Sequence, residues 1–499
     1  MEEREEKRKP KYEAVNRKQL MWLPTDVEQL IGAEHPARMI WEVVGRLDLS
    51  LWENKVASFE REAGRAAWPP HLLVSVLVYG YTLGTSSARE MERWMEHEPG
   101  LRWLTGVQTI SHHTLSTFRA QDTEQLKEIL TQVLAVLAGE GLVDFTTLLQ
   151  DGTKIKAQAS KESFHRRPTL TEHLEKAKAC VEELDQRAAQ GEAPAKRSKK
   201  EAAQERAARE RLERLNAAMR ELVKREAATE PAKQAELRVS ESEPEARKMK
   251  QPDGGFAPSY NLQLVSEAKH GFTVGLTVSN DHNDHHQLEP ALEMAQSCTQ
   301  VAAAQWVADK GYSNRENIEA MAERGITFVS PRLTPDERAK GTLTKAGIDL
   351  AFAPSAFTAS ADGATMQCPA GASLVRIGVG QHHGLPVQTY AADAAICGAC
   401  EHKMRCTPKR EARQVERVIE SAAVRAHDER LNDPTLQALY RRRKQLAEYP
   451  NLRLKSDWRL DRFRLRGLEK VTKEAFWMAF AFLFDRLHSV RRREVSAAA

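Results

Sequence analysis

The sequence has no long hydrophobic run. None of its 499 residues fall in a stretch approaching the roughly 18 apolar residues needed to span a bilayer. The beginning, "MEEREEKRKPKYEAVNRKQ", lacks the apolar core of a secretory signal. The most apolar segment, "EAFWMAFAFLFDRL" (474–487), is too short to span and reads as a buried core helix. Cysteines number only six, which excludes a disulfide-stapled scaffold. Aromatics make up 6% against 29% charged residues, the balance of long solvated helices beside smaller cores. Charge of one sign is also scarce: 74 Lys+Arg against 70 Asp+Glu leaves +4, too little to argue for a nucleic-acid partner by itself. These absences predict a soluble cytoplasmic chain of several domains.

The few cysteines are unevenly placed. Cys180 and Cys298 stand alone in helical contexts and read as small apolar residues. Cys368, Cys397, Cys400 and Cys406 lie in "QCPAGASL" and "AICGACEHKMRCT". A CxxC with a third cysteine soon after and a fourth upstream has the form of a structural zinc site, because four thiolates close a tetrahedral shell. His402 is placed to replace one thiolate. Reduced buried thiols are the plainer alternative.

Apolar periodicity divides the rest. Residues 1–125 read as helical, with three- and four-residue spacings in "HPARMIWEVVGRLDLSLW" and "PPHLLVSVLVYGY…SAREMERWM". "TGVQTISHHTLSTFRAQ" (105–121) gives a turn and then a Ser111-capped helix, the pattern of a helix-turn-helix or of an ordinary packing unit. Within 126–163, a helix precedes the strand-like "VDFTTLLQD". Residues 164–247 form a charged insertion with Leu174, Val181, Leu184 and Ala188, then Leu212, Leu215, Met219 and Leu222, at the spacing of an antiparallel helical hairpin. Its charges read as a solvated face, with a DNA surface left open. Residues 248–345 hold a β-hairpin turning at His270-Gly271, followed by helix, strand, helix and strand. The loop "SNDHNDHHQLEP" (279–290) reads as a cap for the helix that follows rather than a His/Asp metal site. The cysteine-rich segment occupies 346–412, and 413–499 is helical again.

Asp151 in "TLLQDGTKIKAQ" and Asp309 in "VADKGYSN" each close a strand-like run. Either alone could open a turn. Two acids at equivalent ends of neighbouring strands supply the hard oxygen ligands that divalent cations need. Residues 441–470 carry eleven Lys/Arg against four Asp/Glu, a local excess of seven that suits a DNA backbone. Trp458 and Phe463 within it could stack on a base or belong to the core.

"LLQDGTKIKA", "ESEPEARKMKQPDGGFAPSYNLQLV", "NDHNDHHQLEPALE", "VADKGYSNRENI", the cysteine cluster and "RRRKQLAEYPNLRLKSDWRLDRFRLRGLEKV" resemble, in that order, bacterial insertion-sequence transposases of the DDE class. The resemblance covers nearly the whole chain. It implies a mixed α+β architecture: a helical N-terminal DNA-binding and assembly domain, a ribonuclease-H-like core (126–163 and 248–345), the helical-hairpin insertion, a zinc-ribbon-like insert (346–412), and C-terminal helices that complete the core. It also implies a catalytic triad of Asp151, Asp309 and Glu448 holding two Mg²⁺ or Mn²⁺ ions, and a structural Zn²⁺ on the four cysteines. Arg441 and Lys444 fall where the family pattern has a Tyr and an Arg, and Lys455 where it has a Lys. Pro450 would interrupt the helix just after Glu448, and Glu469 is the alternative third acid. Lys154, Lys310, Lys444, Lys455 and Arg441 are the expected DNA contacts. The implied partners are double-stranded DNA, as terminal inverted repeats and target, and further copies of the chain on that DNA, in a nucleoid-associated bacterial protein. The alternatives are an inactive relative that only binds DNA and, more remotely, a zinc-ribbon regulator.

Overall fold

The computed structural model describes residues 26–54, 66–120, 122–189, 199–382 and 384–498. The opening segment and most of the linker "QGEAPAKRSKK" lie outside them. The architecture is mixed α and β. N-terminal helices at Pro36–Val44, Pro70–Thr82, Ala88–Trp94, Pro99–Leu104, His112–Arg119 and Thr123–Gly139 share one hydrophobic core with a sheet face and with the long helix Leu468–Ala498. Proline at the first turn suits helix starts at Pro36, Pro70 and Pro99, where no intrahelical N–H is required. The helix Pro70–Thr82 is apolar on every side because neighbours cover it all round. So is the stretch Ala475–Phe484 of the C-terminal helix, and no helix among the described residues is long and apolar enough to cross a membrane. Ser111 caps His112–Arg119 as its sequence predicts, but Leu115, Phe118 and Arg119 face inward, and the Trp477 indole donates to the Arg119 carbonyl at 3.1 Å.

The central sheet is built from β1 (Thr147–Lys156), β4 (Arg247–Lys250), β5 (Phe256–Glu267), β6 (Thr273–Ser279), β7 (Gln305–Val307) and β8 (Thr327–Val329), after β2 (Phe164–His165) and β3 (Val239–Ser240), which pair only with each other. β5 runs antiparallel to β1 from Leu148↔Glu267 to Lys156↔Ser259. β7 runs parallel to the start of β1, from Thr147↔Gln305 to Leu149↔Val307, and β8 follows parallel to β7. β4 and β6 pair successive stretches of β5. The hairpin turns at His270-Gly271 as read from sequence. Gly271 takes φ +77°, and the Glu267 carboxylate accepts from the Lys269, His270 and Phe272 amides.

Several expectations need correction. Asp151 does not end its strand: β1 continues to Lys156 because β5 keeps pairing after β7 has stopped. Pro450 does not break the helix after Glu448. The helix Pro434–Leu446 ends first, and a new one, Glu448–Leu452, has Pro450 in its opening turn, where a missing N–H costs nothing. Trp458 and Phe463, by contrast, take the core reading offered for them in the sequence; Phe463 meets Tyr260 edge-on at 6.2 Å. Cys298 is buried, but Cys180 is exposed.

The insertion is a helical hairpin, Arg167–Ala189 against Lys199–Ala227, with Leu170, Ala177, Leu215, Ala218 and Leu222 at its centre. Beyond β8, a second sheet orders β13-β12-β11-β10-β9, from β9 (Thr358–Ala359), β10 (Thr365–Gln367), β11 (Ser373–His382), β12 (Leu385–Ala392) and β13 (Gln414–Val418). The helix Pro434–Leu446 then returns to the central sheet, packing Leu436, Leu446 and Ala447 on Leu149, Val307 and Val329. That apolar contact sets the C-terminal acid over β1.

Candidate active site

The geometry begins with register. Leu149 pairs with Val307, so Asp151 and Asp309 each stand two residues further along adjacent parallel strands. The helix packed over Leu149 and Val307 delivers Arg443, and Glu448 opens the next helix. The Arg443 side chain, 10% exposed, donates to Asp151 Oδ1 at 3.2 Å and to Glu448 Oε1 at 2.8 Å. Asn451 Nδ2 donates to Asp151 Oδ2 at 2.8 Å. Asp309 accepts from the Gly311 amide at 2.7 Å, and the Ser330 hydroxyl donates to its carbonyl at 2.6 Å.

Burial raises the Asp151 carboxyl to about 7. Arg443 and Asn451 oppose that rise, while the nearby charges of Asp309 and Glu448 add to it. The three acids are thus within electrostatic reach of one another, with a guanidinium between two of them. Glu469, the alternative third acid, instead pairs with Lys473 at 2.6 Å on the C-terminal helix.

A polar wall flanks Asp151. Asp284, in the loop expected to act only as a helix cap, accepts from Lys154 at 3.3 Å, Asn261 at 2.7 Å and Gln263 at 2.8 Å. Tyr312 donates to Gln263. A Cβ on Gly152 would lie 2.4 Å from Gln263 Nε2 and 2.9 Å from both Asp284 Oδ1 and the Tyr312 hydroxyl, so a side chain there must push this hydrogen-bonded set aside. Lys154 is lowered by burial, and Lys455 is lowered by burial to about 8, within reach of Asp461, Lys156, Lys154 and Asp151. Lys310 is exposed and pairs with Glu337 at 2.8 Å. Arg441 and Lys444 are exposed on the outer side of their helix. Arg443, which the spacing passed over, is the residue turned into the site.

Much of the basic strip is committed to structure. Arg453 pairs with Asp457 and Asp485, Arg462 donates to the Ala157 carbonyl at 2.9 Å, and Arg442 donates to that of Ala268 at 3.2 Å. Beside the end of β1 lies a groove of about 690 Å³ whose lining includes Lys156, Lys161, Phe256 and Arg462. Phe256 is 57% exposed.

The four clustered cysteines line one cavity together with His402. Cys368 Sγ accepts from the Ala372 amide at 3.2 Å, and burial followed by neighbouring thiols raises Cys406. This is a thiol set that suits zinc, and three carboxylates suit a hard divalent cation. Asn451 Oδ1, buried without a hydrogen-bond partner beside Asp151, is a further hard oxygen. Among the described residues, the one group of potential ligand atoms lying within 4.8 Å of one another is elsewhere, so neither set is drawn up to ligand spacing.

Two family models match the chain. "Transposase DDE domain" matches residues 367–488, from the cysteine cluster through Glu448 to the C-terminal helix, and "Transposase domain (DUF772)" matches residues 25–121, the N-terminal helices. No curated protein matches it. The chain is therefore an enzyme that cleaves and joins DNA with the help of a divalent metal. Both matches are to transposase models, and together they support an insertion-sequence DDE transposase.

Proposed function

We propose that Asp151, Asp309 and Glu448 form the catalytic triad, holding two Mg²⁺ or Mn²⁺ ions, and that the enzyme cuts and rejoins the terminal inverted repeats of its own element. One observation carries the reading: Asp151 on β1 and the helix-borne Glu448 share the Arg443 guanidinium, and Asp309 stands beside Asp151 just past the end of β7, in register with it. The order β6-β5-β1-β7-β8, antiparallel then parallel, supports a ribonuclease-H-like core over 126–163 and 248–345. When bound, the ions would activate the attacking hydroxyl and stabilise the leaving oxygen of an in-line displacement. The protein's own groups prepare that site. Arg443 keeps two like charges together before a cation arrives, Asn451 fixes one oxygen of Asp151, and Asp284 with Gln263 and Tyr312 fixes the floor beneath Gly152.

DNA approaches along the groove beside β1, where Lys161 meets phosphates and exposed Phe256 offers a face to a base. Lys154 and Lys455 lie nearer the acids, while Lys310, Lys444 and Arg441 reach outward. A structural Zn²⁺ on Cys368, Cys397, Cys400 and Cys406 rigidifies the insert at 346–412 as a zinc-ribbon-like unit. The helical region 1–125 serves DNA binding and assembly, and the enzyme works as a homo-oligomer on paired ends.

The test uses duplexes carrying the element's ends, labelled at the 5′ termini, with Mg²⁺. Wild type cleaves at the element boundary, whereas Asp151→Asn, Asp309→Asn and Glu448→Gln bind the same duplex and leave it intact. Cleavage by any of the three at the wild-type rate overturns that acid's assignment.

A further inference from the structure

At the root of the helical insertion, away from the acids and the cysteines, three side chains from three separate segments turn toward one point. His165 ends β2, His173 lies in the second turn of the helix Arg167–Ala189, and Glu241 directly follows β3. Their ligand atoms all lie within 4.8 Å of one another. His173 Nδ1 is 2.8 Å from Glu241 Oε2, and His165 Nε2 is 3.9 Å from the same oxygen. The two imidazoles stand edge to face, with centroids 5.0 Å apart.

The frame beneath them is fixed. β2 and β3 pair through Phe164↔Ser240 and His165↔Val239, and the Glu241 amide donates to the Ser163 carbonyl at 2.9 Å. Ser163 and Ser240 are joined at 2.7 Å through their hydroxyls. Each of the three side chains is about one-quarter exposed, enough for an ion to enter and for one coordination position to stay open.

We propose that His165, His173 and Glu241 form a transition-metal site, best suited to Zn²⁺, which clamps the two ends of the helical insertion together. Two imidazoles and one carboxylate select a borderline cation such as zinc over Mg²⁺, which prefers oxygen alone. Zinc bonds of about 2.0–2.1 Å in a tetrahedron put ligand atoms about 3.3 Å apart. The His165–Glu241 separation needs to close by only a few tenths of an ångström, and the His173–Glu241 pair to open by a similar amount. A lone His–Glu hydrogen bond would account for His173 and Glu241 but not for the second imidazole aimed at the same oxygen. The clamp sits where the chain enters the insertion at 165 and leaves it at 241, so it fixes the hairpin's orientation on the catalytic domain. The open position would take water or one donor from a partner.

The experiment is zinc stoichiometry by elemental analysis of the full-length protein, equilibrated in a zinc buffer and then gel-filtered. Wild type is expected to hold one zinc more per chain than His165→Ala, His173→Ala or Glu241→Gln. His165→Cys, which keeps a ligand atom, is expected to match wild type. Circular dichroism and retained zinc on the cysteine cluster identify variants that have folded. If His173→Ala does not fold, the His165→Ala and His165→Cys pair decides. Equal stoichiometry in wild type and His165→Ala overturns the site, as does loss of the extra ion in His165→Cys.

Discussion

Glu243 offers the cleanest measurable consequence of this fold, because it is buried and belongs to neither the acids nor the cysteines. It lies between β3 and β4, and its residue is only 1% exposed. Tyr260 on β5 donates to Oε1 at 3.0 Å and the Gly467 amide does so at 3.3 Å, while Oε2 is buried with no hydrogen-bond partner. Burial raises the carboxyl from its ordinary 4.5 to about 7, against the opposing pull of Tyr260, Gly467 and Arg466. Below about pH 4.5 folded and unfolded chains both hold the proton, and the group leaves stability unchanged. Between 4.5 and 7 the unfolded chain releases it first, so each pH unit costs the fold about 1.4 kcal/mol. Across that window the loss comes to about 3 kcal/mol, and above pH 7 it stays constant.

Glu243→Gln keeps the Oε1 acceptor and removes the titration. Wild type and variant both leave one buried polar atom unpaired, so their difference isolates the proton. Urea unfolding of both proteins from pH 5 to pH 9, followed by tryptophan fluorescence, is the assay. The variant should gain on wild type by about 3 kcal/mol between the acidic end and neutrality, then run parallel to it. Parallel curves over the whole range would refute the argument that burial holds this proton.

The proposed active site yields three further predictions. Arg443→Gln removes the guanidinium shared by Asp151 and Glu448 and should lower strand cleavage about 100-fold; Arg443→Lys should not restore it, since one ammonium cannot fork to both acids. Gly152→Ala drives a methyl into Gln263, Asp284 and Tyr312 and should cost about 1–3 kcal/mol in urea unfolding together with cleavage. With Asp151 raised to about 7 by burial, the metal ion proposed to bind it would have to displace its proton in acid, so the half-saturating Mg²⁺ for cleavage should rise about tenfold per pH unit below 7 and level off above it. An unchanged Mg²⁺ requirement between pH 6 and 8 would contradict that proton's place at the site.

What could be read from the sequence was whatever local pattern dictates. Alternation marked β5 and β6, the His270-Gly271 turn was visible in its residue types, and heptad-like spacing placed Leu212, Leu215, Met219 and Leu222 on the inner side of the insertion. The unbroken apolar run of 474–487 announced a helix buried all round. The end of β1 was not visible, because its length is set by a partner strand more than a hundred residues away. Glu448 illustrates the limit more sharply. Counting along the chain selected Arg441 and Lys444 beside it, yet Leu446 and Ala447 pack on Leu149 and Val307, and that contact rotates Arg443 inward and leaves the other two outside. Asp284 was misjudged for the same reason: a loop residue gains its partners Lys154, Asn261 and Gln263 only once β1 and β5 are side by side. The three acids proposed as metal ligands each lie in a short motif legible in the sequence. The groups that tune those acids arrive through tertiary packing, and mutagenesis of this enzyme should begin with Arg443, Asn451 and Asp284 rather than with the exposed basic residues of the C-terminal strip.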